Sequence, residues 1–181
     1  MKKAISIGIQ GFSDLREQDC FFVDKTNFIK EWWGKRDVVT LIMRPGPFGK
    51  TLNMSMLDCF FSNKYANRAD LFEGLSIWQD ETYRKLQGTY PVIFLSFAAV
   101  KAGNLEDAKT QIKQEIARLY WENRNLMKED IFGEDERELY YRTTVKMDDV
   151  TAQDSLRNLS VWMERYYGKK VIILLDEYDT P

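Results

Sequence analysis

Lys170-Val-Ile-Ile-Leu-Leu-Asp176-Glu177-Tyr178-Asp179, close to the end of a chain of 181 residues, is the stretch on which the fold turns. Val171 to Leu175 is a near-continuous apolar run, the pattern of a strand buried on both faces of a parallel sheet. It delivers two adjacent carboxylates, Asp176 and Glu177, to the strand end. Two earlier runs, Val38-Val-Thr-Leu-Ile-Met43 and Pro91-Val-Ile-Phe-Leu-Ser-Phe97, carry the same pattern. Segments with helical spacing lie between them, so the order of elements predicts an α/β three-layer sandwich with a mainly parallel sheet.

Ligands of such sheets gather at the carboxyl ends of the strands, so the residues after each run matter. After Met43 comes Arg44-Pro45-Gly46-Pro47-Phe48-Gly49-Lys50-Thr51-Leu52, a loop running into a helix. A phosphate site needs backbone amides converging at the positive end of a helix. Gly49 lets the backbone approach, Lys50 supplies a mobile charge for the terminal phosphates, and the Thr51 hydroxyl can ligate Mg²⁺. The loop therefore reads as the Walker A element of a P-loop NTPase, and the acidic strand end as its Walker B partner. Arg44, Gly46, Phe48, Gly49, Lys50, Thr51 and Leu52 are the expected nucleotide-binding residues, with ATP and Mg²⁺ as ligands. Thr51 and Asp176 are assigned to the metal. Lys50 and Glu177 are the catalytic candidates, Glu177 by orienting and deprotonating a water. Asp179 is a supporting acid. The two motifs are expected to meet at one sheet edge.

Plainer readings stand beside these. Gly-Lys-Thr can be an ordinary strand-to-helix turn, and the acids can be a solvated turn closing a core strand. The usual Walker A pattern has glycine where this chain has Arg44. Pro45 and Pro47 lack an N–H, and the amide at the Pro47 position normally faces the β–γ bridging oxygen. Its loss weakens transition-state stabilisation more than binding.

Along the rest of the chain, Asp24 or Thr26 caps a helix carrying Phe28, Ile29, Trp32 and Trp33, and Gly34 ends it. A helix from Lys50 to Phe61 presents Leu52, Met56, Cys59 and Phe60 toward the sheet. Asn104 caps a helix from Leu105 to Glu122. Residues 123–150 read as a charged surface excursion with a short helix around 134–141. Thr151 to Asp154 reads as a capping box for a helix that Gly168 closes. The whole chain is taken as one domain, with an N-terminal segment 1–36 and a partial NTPase core 37–181.

Composition narrows the function classes. The formal net charge of −2 gives no global basic field for nucleic acid or an anionic membrane. No apolar run is long enough to span a bilayer, and the N-terminus lacks a signal-peptide core, so a cytoplasmic location is expected. The chain has no histidine, which excludes a His-based triad and the usual His-containing zinc sites. Cys20 and Cys59 are expected to be free thiols. Arg16 reads as a surface arginine or as a contact to nucleotide or a neighbouring subunit. The five tryptophans read as core or interface anchors.

Four segments together resemble the predicted AAA-ATPase-like proteins of bacteria and archaea. They are Phe22-Val-Asp24-Lys25-Thr26, Arg44-Pro45-x-x-Phe48-Gly49-Lys50-Thr51, Pro91 to Phe97, and Leu174-Leu-Asp176-Glu177-Tyr178-Asp179-Thr-Pro181. The resemblance makes Arg44 a family trait, and places Asp24 and Lys25 near the nucleotide or, equally, at a helix cap. It implies ATP binding and Mg²⁺-dependent hydrolysis in the parent protein. The family carries basic residues where this chain has Gly46 and Pro47, which favours the alternative of a non-hydrolysing regulatory or interaction module. Family members usually continue past the acidic motif, often into a nuclease-like domain. The sheet is therefore expected to be incomplete here, and the chain to self-associate or pair with that further domain. Nucleic acid enters only through the parent protein.

Overall fold

Stacked aromatic rings organise the first half of the chain. The computed structural model describes residues 4–5, 8–42 and 49–178, and the chain divides into the units Met1–Tyr90 and Pro91–Pro181. The first unit holds helices α1 (Phe12–Glu17), α2 (Asn27–Lys35), α3 (Lys50–Phe61) and α4 (Glu81–Arg84), with three short 3₁₀ turns between α3 and α4. Phe12 stacks on Phe72 at 5.1 Å, Phe60 meets Phe72 edge-on at 5.1 Å, and Trp33 stacks on Phe61 at 4.9 Å. Offset and edge-on contacts suit the ring quadrupoles and add to the stabilisation from burial.

The buried side of α3 carries Met56, Leu57, Cys59, Phe60 and Phe61, and α3 packs against α1. The Phe12 amide donates to Ser55 Oγ at 2.9 Å across that contact. Burial first, and then the neighbouring Asp58 charge, pushes the Cys59 thiol up to about 11, so it behaves as a small apolar side chain. After α3 the chain doubles back: the Gly88 amide donates to Phe60 O and the Tyr90 amide to Phe61 O, both at 2.8 Å. Gly88 has φ +69°, and a Cβ there would lie 2.4 Å from Ala66 Cα, so both conformation and space require glycine.

Two expectations for this unit are corrected. Gly34 lies inside α2, and Arg36 ends the helix with φ 55°. Residues 38–42 form no strand; Val38 is 100% exposed and Val39 84%. An apolar run becomes a buried strand only when neighbours satisfy its backbone, and no described strand pairs with this one. Met43 lies outside the described residues.

The second unit is α/β. Strands β1 (Val92–Ser96) and β2 (Ile172–Asp176) pair in parallel, with Val92 opposite Ile172 and Ser96 opposite Asp176. The crossover between them holds α5 (Leu105–Glu122), α6 (Glu134–Arg142) and α7 (Asp149–Tyr167). Asn104 Oδ1 caps α5 by accepting from the Asp107 amide at 2.9 Å. Helix α7 starts earlier than its expected capping box, because Asp148 accepts from the Thr151 amide at 2.7 Å; Gly168 closes it with φ 64°.

Ile93 and Leu95 of β1 share a core with Ile116, Leu119, Leu159, Trp162 and Met163. Burying each such large side chain contributes about 1.5–3 kcal/mol. Residues 123–150 are not a surface excursion, since Leu126, Phe132, Tyr140 and Met147 enter this core. The Tyr140 hydroxyl donates to Tyr120 O at 2.6 Å, and the Tyr120 hydroxyl to Ser155 O at 2.8 Å. Glu136 accepts from Arg165 at 2.6 Å, tying α6 to α7; that guanidinium first, then the Gly133 amide, lowers its carboxyl to about 2.

Candidate functional site

The candidate residues fall in two groups, one in each unit. In the first, Gly49 precedes α3 with φ 74°, a left-handed conformation that glycine adopts without strain. No described residue crowds its Cβ position, so the backbone angle and not space calls for glycine. Lys50, Thr51 and Leu52 form the first turn of the 12-residue helix and are partly buried. Gly49 offers no side chain as a cap. The Asn53 amide donates to Gly49 O at 2.9 Å and closes the first turn. Arg44, Gly46 and Phe48, with Pro45 and Pro47, lie outside the described residues.

The second group stands at the carboxyl end of the parallel pair. Asp176 is the last residue of β2 and only 3% exposed. Its backbone carbonyl accepts from the Phe97 amide at 3.0 Å, so the ladder reaches beyond the strand ends and fixes the Asp176 main chain. Across the register, Ser96 Oγ donates to Asp176 Oδ2 at 3.4 Å, and the Ala98 amide donates to Ser96 Oγ at 3.3 Å. Glu177 follows with φ 53°. That left-handed turn, costly for a residue with a Cβ, swings the chain out of the strand line. Tyr178 is exposed, and Asp179 lies outside the described residues.

The donor chemistry suits the expected ligands. The Asp176 carboxylate at the strand end is a hard oxygen donor, the kind Mg²⁺ prefers. Among the described residues no group of three or more acidic, Cys or His side chains could hold a metal. Nucleotide-bound Mg²⁺ needs no such cluster, because it takes one or two carboxylates and completes its shell with phosphates and water. The opening of α3 suits phosphate, since its first amides and its dipole favour negative charge.

Other singled-out residues have structural work. Asp24 accepts from the Thr26 amide at 2.9 Å, from Thr26 Oγ1 at 2.7 Å, from the Ser76 amide at 2.7 Å and from Ser76 Oγ at 2.6 Å. Thr26 in turn accepts from the Ile77 amide at 3.1 Å and makes no side-chain cap to α2. Arg16 donates to Leu71 O at 2.8 Å and Glu73 O at 2.9 Å. A cleft of about 500 Å³ lies between α5 and the loop after β1, lined by Val100, Asp107, Gln111 and Glu115 among others. Its polar groups bond locally: Gln111 accepts from the Lys101 amide, and Asp107 from the Asn104 side chain. Ser96 was not among the sequence candidates. The available signal was a polar residue closing an otherwise apolar strand.

A protein of Azotobacter chroococcum mcd 1, described as an uncharacterized protein in the vnfD 5' region, is 27% identical over 181 residues, which is 99% of this chain and 30% of that protein. The chain thus spans less than a third of that relative's length. No solved structure matches significantly. No described helix is long and apolar enough to cross a membrane. The family model for predicted AAA-ATPases matches residues 6–181, from ahead of α1 through the acidic end of β2, and the chain belongs to that family.

Proposed function

We propose that this chain is an ATP-binding P-loop domain, with Mg²⁺-dependent hydrolysis carried out by the parent protein. The observation that carries the reading is Gly49 in a left-handed conformation opening α3, with Lys50 and Thr51 in the first turn. In this reading the first amides of α3 and the Lys50 ammonium hold the phosphates, and Thr51 and Asp176 hold Mg²⁺. Bound Mg²⁺ supplies charge neutralisation on the phosphoryl oxygens. Glu177 accepts the proton of the attacking water, and its left-handed backbone directs its side chain differently from the strand residues before it. The parallel β1–β2 pair and its helical crossover support a P-loop sheet of the three-layer α/β kind.

A second reading, nucleotide binding without turnover, is favoured by Pro47, which has no amide for the β–γ bridging oxygen. Calorimetric titration with Mg-ATP tests both. Binding should be lost or weakened at least tenfold, about 1.4 kcal/mol, in Lys50→Ala. Wild-type protein that takes up no Mg-ATP would refute both readings. Binding without phosphate release, with release gained when positions 46 and 47 become arginine, would establish the second.

A further inference from the structure

We infer that Ser96 is a positioning residue for the metal-holding carboxylate of Asp176. The inference rests on the proposed nucleotide and Mg²⁺ reading and concerns residues of the second unit alone. Three observations carry it. Ser96 and Asp176 are direct register partners on adjacent parallel strands, so their side chains leave the sheet on the same face at its carboxyl edge. The Ser96 hydroxyl lies 3.4 Å from Asp176 Oδ2, and the Ala98 amide donates to the same hydroxyl oxygen at 3.3 Å. An amide pointing at Oγ occupies one of its lone pairs and turns the hydroxyl proton away, toward the carboxylate.

Asp176 is therefore held by a two-step relay from the loop after β1, through Ser96, to Oδ2. A carboxylate has about four lone-pair positions, and a single long hydrogen bond engages only one. The rest stay available to a cation, while the bond limits rotation of the carboxyl plane. Groups that orient a ligand without touching the metal commonly matter for affinity. Ser96 closes a strand whose other residues are apolar.

The test uses the full chain as wild type, Ser96→Ala, Ser96→Thr and Ser96→Cys. Mg²⁺ is titrated against binding of a fluorescent ATP analogue, and thermal unfolding is followed in EDTA. Ser96→Ala should raise the Mg²⁺ half-saturation roughly three- to tenfold, with metal-free nucleotide affinity unchanged. Ser96→Thr should restore the wild-type curve, and Ser96→Cys, a weak donor, should fall between. A solely structural role would instead lower the EDTA midpoint and leave the Mg²⁺ curve of the folded protein unmoved. If Ser96→Ala does not fold, the Ser96→Cys curve decides, and a wild-type half-saturation there overturns the inference. Mg²⁺-dependent binding in wild type with an unmoved Ser96→Ala curve refutes the Ser96 role alone. A wild type with no Mg²⁺-dependent binding refutes that role together with the nucleotide reading.

Discussion

Asp24 shows how one side chain can tie distant pieces of chain together. Its two oxygens accept from Thr26 next door and from Ser76, 52 positions away. Burial raises its pKa, but the hydrogen bonds from Ser76 and Thr26 outweigh burial and hold the carboxyl at about 2, against an ordinary 3.8. A lowered folded pKa contributes stability that is present above the unfolded pKa. This contribution is lost as pH falls from about 4 toward 2. Because the carboxylate is well exposed, water screening keeps it to about 1 kcal/mol or less. Asp24→Asn should therefore lower the urea midpoint at pH 6 and leave a much smaller difference from wild type at pH 2.5. Asp24 was legible from its motif, but Ser76 was not, because nothing local ties the two. For the same reason the family motif alone could not separate a nucleotide contact from this structural bond.

Caps and chain reversals decide where the elements begin and end. Arg36 closes α2 in a left-handed conformation that glycine adopts without a Cβ penalty. Arg36→Gly should raise stability by about 0.5–1 kcal/mol, read as a shift in chemical-denaturation midpoint at constant slope. Asn104→Ala removes the cap of α5 and should cost about 1 kcal/mol by the same measurement. Gly88→Ala should be the most damaging of the three, because the added methyl meets the Ala66 backbone. The bounds of α3 and α5 were readable, since each pairs apolar spacing with a distinct opening, Gly49 or Asn104. The start of α7 was less so, because Asp148 and Thr151 are both good cap residues and only the hydrogen bond distinguishes them. Charged residues in 123–150 hid a core contribution from Leu126, Phe132 and Tyr140, spaced too irregularly for a periodic pattern.

For the molecule as a whole, ligand linkage provides the most general check. If Mg-ATP binds only the folded chain, a hundredfold excess over its Kd should stabilise it by about 2.7 kcal/mol, seen as a rise in Tm. Lys50→Ala should abolish that rise. A second expectation concerns association. Among the described residues the sheet has two strands, and Ile173 and Leu175 of β2 are 43% and 41% exposed. Open strand edges beside apolar side chains favour pairing between molecules. Replacing both residues with lysine should shift light-scattering masses toward monomer. The amino-acid pattern by itself determined the helices with strong openings, the β1 and β2 runs, the order of the motifs and their family, because these depend on spacing a few residues long. Only the folded chain decided that Val38 stands in solvent, that Asp24 serves Ser76, and that Ser96 faces Asp176. Such outcomes depend on partners brought in from far along the polymer, and a hydrogen bond or a buried face exists only once that partner has arrived.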